Sequence, residues 1–209
     1  MDQLIENRNG WWWPIADKVC WKTMQKFPNI PQDVMKYVEE KNVMVQAGGN
    51  AGFYVKQYAE KFKTVYTFEP DYINFHCLNR NVTSNNVFKF QSCLGSEHKT
   101  VGFNVNERNR GASHVEGLGN IPTLKIDDLG LTECNLIHLD IEGYEYFALQ
   151  GALDTIKTFS PVIVIEVWIE MKDRFIKDSN RLSFDLLRGL GYDKVDVLNE
   201  HDFVFKKVI

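Results

Sequence analysis

From residue 42 onward the chain alternates between two apolar patterns. Short, nearly unbroken runs at Asn42–Ala47, Thr64–Glu69, Val87–Gln91, Asn135–Asp140 and Val162–Val167 predict buried strands. Between them lie segments of helical spacing. The first carries Tyr54, Tyr58 and Phe62 at four-residue intervals, and Asp71–Asn81, Tyr144–Phe159 and Ser183–Leu190 follow, the last closed by Gly191. Strands alternating with helices imply an α/β fold with a mostly parallel sheet, because each crossover deposits a helix on one of its faces. Lys194–Leu198 and Phe203–Val208, around Asn199-Glu200-His201-Asp202, predict a closing antiparallel hairpin. Between residues 95 and 120 the pattern lapses into Gly, Asn, Ser and Glu around a strand at Val101–Val105, which reads as a loop-rich insertion.

Residues 1–40 do not share this rhythm and read as a helical appendage. Asn9-Gly10 marks a turn before Trp11, Trp12, Trp13 and Pro14. One helix is expected through Val19, Cys20, Met24 and Phe27, and a second begins at Pro31 and runs through Val34, Tyr37 and Val38. Three consecutive tryptophans cannot all enter one core. They serve as a cap that stacks on a ligand, as a clamp that holds the appendage to the core, or as a homodimer contact.

Composition narrows the partners. The chain has 209 residues, 44% hydrophobic and 25% charged, enough for one domain with a full core. A net charge of −4 and a pI near 5.8 argue against nucleic acid, which is bound mainly through basic stripes. Cys20, Cys77, Cys93 and Cys134 lie far apart without a CxxC pair, so buried thiols are expected rather than a zinc site. The N-terminus lacks the pattern of a signal peptide, and the longest apolar run is broken by Glu166. The expectation is a cytoplasmic protein without a membrane span.

Candidate chemistry begins at Gln46-Ala47-Gly48-Gly49-Asn50-Ala51-Gly52. Glycines at a strand-to-helix turn let a ligand approach the backbone and aim N–H groups at it. Glu69, in Phe68-Glu69-Pro70 at the end of the next strand, can accept both hydroxyls of a ribose. The order of turn and acid suits a nucleoside.

These blocks resemble the FkbM family of methyltransferases. Gln46 to Tyr54 is similar to its first motif, D-V-G-A-N-x-G, and Phe68-Glu69-Pro70 with Leu78-Asn79 and Asn85-Asn86 to its second. Gly111-Ala112-Ser113 and Ile126-Asp127-Asp128-Leu129 match its middle blocks. Leu136-Ile137-His138-Leu139-Asp140-Ile141-Glu142-Gly143-Tyr144-Glu145 resembles L-I-K-I-D-V-E-G-x-E, and continues into Leu149-Gln150-Gly151-Ala152 and Pro161 to Glu166. The resemblance implies a class I methyltransferase (Rossmann-like) sheet over residues 41–209 that binds S-adenosylmethionine. Gln46, Gly48, Gly49, Asn50 and Gly52 would hold the methionine end, Glu69 and Pro70 the ribose, and Ser92 and Cys93 would border the adenine. Asp140 would also face the cofactor. The chain departs from the family at Gln46, where the motif has Asp, and at His138, where it has Lys.

An alcohol acceptor must lose a proton during methyl transfer, so a base is needed beside the methyl group. Asp140 and Glu142, at the end of the fourth strand, are the first candidates for base or acceptor-orienting group, with a helix N-cap as the plain alternative. Glu166 ends a neighbouring strand, and its alternative is a buried ion pair. His114 lies in the insertion, where acceptor-binding loops fall, with a solvated loop histidine as its alternative. A divalent metal bridged by Asp140 and another carboxylate is an open alternative in this fold, but the spacing establishes none. The acceptor is expected to be a sugar-like or other small hydroxylated molecule. An NAD-dependent oxidoreductase would share the turn and the acid, but the chain lacks GxGxxG and a second mononucleotide half. A non-catalytic module of this fold, recruiting a partner through the tryptophans, is the remaining alternative.

Overall fold

The computed structural model describes residues 2–167 and 179–208. A 3₁₀ turn at Asp2–Leu4 leads into a hairpin, so the expected helical appendage is part strand. Strands β1 (Ile5–Arg8) and β2 (Trp11–Pro14) pair antiparallel, with Arg8 opposite Trp11. Asn9 and Gly10 both take positive φ, 52° and 90°, the conformation that tight hairpins require of an Asn-Gly loop. The tryptophans divide by strand alternation. Trp13 is fully buried against Trp21, ring centres 5.1 Å apart. Trp12 faces the other way and receives the Arg80 guanidinium 3.6 Å above its ring. Short helices α1 (Cys20–Lys26) and α2 (Ile30–Val34) complete the N-terminal region.

The main sheet follows the predicted pattern. Strands β3 (Val43–Ala47), β4 (Thr64–Phe68) and β5 (Val87–Phe90) are separated by α3 (Phe53–Ala59) and α4 (Tyr72–Asn81). An insertion then supplies β6 (Cys93–Leu94), β7 (Thr100–Val101), β8 (Phe103–Asn104), β9 (His114–Val115) and β10 (Ile121–Leu124). Strand β11 (Leu136–Leu139) returns the chain to the sheet. After it come α5 (Glu145–Gln150), α6 (Leu153–Phe159), β12 (Val162–Glu166), α7 (Ser179–Gly189), β13 (Tyr192–Leu198) and β14 (Asp202–Lys207). The seven strands lie in the order β13-β14-β12-β11-β3-β4-β5, parallel except for β14, which runs antiparallel to its neighbours on both sides.

Because strand side chains alternate, the sheet carries two cores. Val45, Ile137, Leu139, Ile163, Ile165 and Phe203 face α5, α6 and α7. Met44, Leu136, Val162, Val164 and Val204 face α2, α3 and α4 through Val34, Val55, Tyr58 and Leu78. The predicted helix over 144–159 is interrupted at Gly151-Ala152. A side chain at Gly151 would lie 2.0 Å from the Gly95 carbonyl oxygen, so the base of the insertion packs into the break. The predicted strand at 101–105 is split into β7 and β8, and α7 begins earlier than the expected residue 183.

Chain order reverses beside β3. It steps outward to β4 and β5, then crosses to β11 on the other side. A sheet of this kind binds ligands at such a switch point, beyond the carboxyl ends of the strands.

Candidate active site

A cleft opens at that point, walled by the ends of β3, β4 and β11, by the insertion and by the N-terminal region. Its floor is the turn after β3. Gly48 has φ +84°, and a Cβ there would fall 1.9 Å from the Asp140 carbonyl oxygen. At Gly49 a Cβ would meet Thr67 Oγ1 at 2.8 Å. Both positions therefore need glycine to bring the ends of β3, β4 and β11 together. Gly52 lies away from the cleft, its missing side chain leaving room for Val82 and Leu78.

The turn presents shape but few donors. The N–H groups of Gly48 and Gly49 both donate to the Phe68 carbonyl, and that of Gly52 to the Gly49 carbonyl. The Asn50 N–H donates to Glu69 and the Ala51 N–H to the Asn50 side chain. The expectation that this turn would aim free amides at a ligand is thus corrected for residues 48–52. Gln46 is likewise committed: its carbonyl accepts from Thr67 at 2.6 Å and its amide donates to the Gly48 carbonyl at 2.9 Å. It is buried beneath the turn and does not line the cleft.

Glu69 and Pro70 do line it. Glu69 is 4% exposed, and its two oxygens accept the N–H groups of Asn50 and Asp71 at 2.7 and 2.8 Å. Burial, helped by the nearby Asp71 charge, pushes its carboxyl up to about 8 despite those bonds. Ser92 and Cys93 form the wall beyond, and the buried Ser92 Oγ has no hydrogen-bond partner in the protein.

Asp140 stands at the end of β11 on the face shared with His138 and enters the cleft. Glu166, at the end of the neighbouring β12, hydrogen-bonds to it. Burial raises both carboxyls, and the shared bond acts in opposite directions, lowering Asp140 and raising Glu166. Glu142 brings a third carboxylate, so that one oxygen from each of the three lies within 4.8 Å of the others. Glu142 and Glu166 stand behind Asp140 rather than on the cleft wall. His114 is also off the wall, although its neighbours Ser113 and Val115 are on it, since successive residues of an extended chain face opposite ways.

Two residues had no role assigned from sequence. Buried Glu145 accepts the N–H groups of Ile141 and Gly143 at 3.0 and 3.2 Å. It thereby holds the turn that carries Glu142 at φ +57°. Its position two after Gly143 was a visible signal. Arg110, in a 3₁₀ turn at Arg110–Ala112, reaches the cleft and pairs with buried Asp71. Only the fold brings the insertion to that place. From the N-terminal region Cys20 and Met24 also line the cleft, whereas the tryptophans do not. They clamp the hairpin to the core, aided by Asn81, whose side chain bonds both the N–H and the carbonyl of Trp12 at 2.8 Å.

Comparison with known proteins agrees with this architecture. The model of the methyltransferase FkbM domain matches residues 46–194, and the chain belongs to that family of methyltransferases. Methyltransferase FkbM from Methylobacillus flagellatus superposes with a TM-score of 0.54 at 20% identity, covering 80% of this chain and 43% of that one. This chain thus spans less than half of that protein. Precorrin 8w decarboxylase from Methanobacterium thermoautotrophicum gives 0.53 at 12% identity, over 86% of this chain and 90% of the other. A TehB-like SAM-dependent methyltransferase from Corynebacterium glutamicum gives 0.51 at 11%, over 90% and 94%. At these identities the likeness is one of fold. A search of curated proteins returns no match. Among the described residues no helix is long and apolar enough to cross a membrane.

Proposed function

We propose that this chain binds S-adenosylmethionine in the cleft and methylates an oxygen of a sugar-like or other small hydroxylated acceptor. The observation that carries the reading is the tie between Glu69 and the glycine turn at the switch point of a methyltransferase-family sheet. The residues suit the cofactor: the turn has no room for a side chain at Gly48 or Gly49, and Ser92 Oγ is a buried hydroxyl awaiting a partner. Glu69 keeps lone pairs for the two ribose hydroxyls after taking its backbone N–H groups. Ser92 and Cys93 would border the adenine.

A bound cofactor supplies an electrophilic methyl on a sulfonium, which departs as a neutral thioether. The chain's own work is to orient the acceptor, keep water away and take a proton. Asp140 is the group placed for that proton. Its carboxyl faces the cleft, where burial raises it and the hydrogen bond with Glu166 works the other way, toward the anion. Met24, Phe53 and Ile141 give the cleft an apolar wall that would keep water from the reacting groups.

Calorimetry with S-adenosylhomocysteine tests the cofactor half, and absence of binding would end this reading. Turnover assays across hydroxylated sugars and small alcohols test the other half. Cofactor binding with no methylation of any acceptor would favour a non-catalytic module.

A further inference from the structure

An amino-acid cofactor brings a carboxylate into the cleft, and that anion needs donors. The N–H groups of residues 48–52 are all engaged within the protein. Among the described residues lining the cleft, Arg110 carries the one cationic side chain. Its side chain is 4% exposed. One terminal nitrogen, Nη1, pairs with Asp71, while Nε is buried with no hydrogen-bond partner. A guanidinium offers donors only, so this N–H can be satisfied by nothing but an acceptor.

Arg110 is also held in place. Gly111 packs so closely on Cys20 that a Cβ would come within 3.0 Å of the sulfur. Asn50, at the glycine turn, reaches the same Cys20 sulfur at 3.5 Å. The guanidinium is therefore anchored at the acid end of the cleft, through Asp71 and Glu69, while the backbone beside it, at Gly111, is tied through Cys20 to the turn where the amino-acid end would lie.

We propose that Arg110 recognises the carboxylate of the cofactor's amino-acid end, a task the glycine turn cannot perform here. This rests on the S-adenosyl reading of the cleft. It makes the insertion, rather than the sheet, the source of selectivity for the intact amino acid.

The test compares S-adenosylhomocysteine with its decarboxylated counterpart by calorimetry, on the wild type, Arg110→Lys and Arg110→Gln. A charge-assisted bond predicts that the wild type binds the decarboxylated ligand about 10- to 100-fold more weakly. In Arg110→Gln the two ligands should differ by less than about threefold, the size of change that a lost bond of this kind exceeds. Arg110→Lys keeps a cation beside Asp71 but lacks Nε, and should fall between. Equal binding of both ligands by the wild type overturns the proposal. So does a loss in the variants that is the same for both ligands, which would mean that Arg110 only anchors the insertion. Should Arg110→Gln fail to fold, the wild-type comparison and the Lys variant still decide. If the wild type binds neither ligand, the S-adenosyl reading fails first, and this proposal falls with it.

Discussion

The Asn50 N–H donates to the Glu69 carboxylate at 2.7 Å, joining the turn after β3 to the acid after β4. The two residues are 19 apart in sequence and belong to different strand ends, and both line the cleft. Glu69 is at once a structural acceptor and the group that would take the ribose.

Its titration offers the first prediction. Burial pushes Glu69 to about 8, so in the empty protein it is largely protonated at pH 7. Two ribose hydroxyls donating to it favour the carboxylate. Binding of S-adenosylhomocysteine should then release a proton at pH 7, and affinity should rise with pH until about 8. Calorimetry in buffers of different ionisation enthalpy reads the release directly, and Glu69→Gln should abolish it. The sign for stability is the reverse. A carboxyl whose folded pKa is raised favours the folded state at low pH, and that contribution is lost as pH rises through about 8. The ligand-free protein should therefore show a falling melting temperature between about pH 5 and 8, flattened in Glu69→Gln.

The Asp140–Glu166 pair separates chemistry from binding. Asp140→Asn should lower turnover by about 10²- to 10⁴-fold, the usual weight of a general base. Affinity for S-adenosylhomocysteine should stay within about threefold of wild type if only proton transfer is lost. Since Asp140 must be ionised, the rate should fall as pH drops through its raised pKa. The Glu166 bond lowers that pKa, so Glu166→Ala should move the acid limb of the profile to higher pH. Glu166→Gln retains a donor and should leave the limb nearly in place.

The glycine turn predicts a packing defect. Gly48→Ala would drive a Cβ to 1.9 Å from the Asp140 carbonyl oxygen at a φ of +84°. β3 and β11 would have to separate, at a cost on the order of 1–3 kcal/mol for overpacking and about 1–2 for the left-handed backbone. Gly117→Ala, also at positive φ but in open space, carries only the backbone part. Chemical denaturation of the two variants should rank them in that order, with cofactor binding lost in Gly48→Ala alone.

The sheet was legible because its apolar runs are short and nearly unbroken, as buried parallel strands require. Val162–Val167 and Asn135–Asp140 were located to within one residue of β12 and β11. The N-terminal hairpin was half legible: Asn9-Gly10 announced a turn, but Trp11 to Trp13 lack polar alternation, because Trp12 is covered by Arg80 instead of water. The break at Gly151 was hidden, since its cause is the Gly95 carbonyl, 56 residues away in sequence. Glu69 and Asp140 could be placed because each ends a strand. Arg110 could not, because the insertion has no period to locate it, and neither could the internal use of the turn's amides.

His138 shows what the departure from the family's Lys requires. It lies on β11 in the core that faces α3, where its Nδ1 is 2.6 Å from the Tyr58 hydroxyl. Burial holds the Tyr58 phenol well above its ordinary pKa, so the phenol is the donor and Nδ1 the acceptor. The remaining N–H, on Nε2, then points toward Asp202 Oδ1 at 3.6 Å. Tyr58→Phe removes the donor and leaves a buried ring nitrogen unpaired, which should cost about 1–3 kcal/mol in urea unfolding. Tyr58 does not line the cleft, so the folded variant should bind S-adenosylhomocysteine within about twofold of wild type, the spread expected for a site with no shared partner. A large loss of affinity with unchanged stability would instead make this buried pair part of the cofactor site.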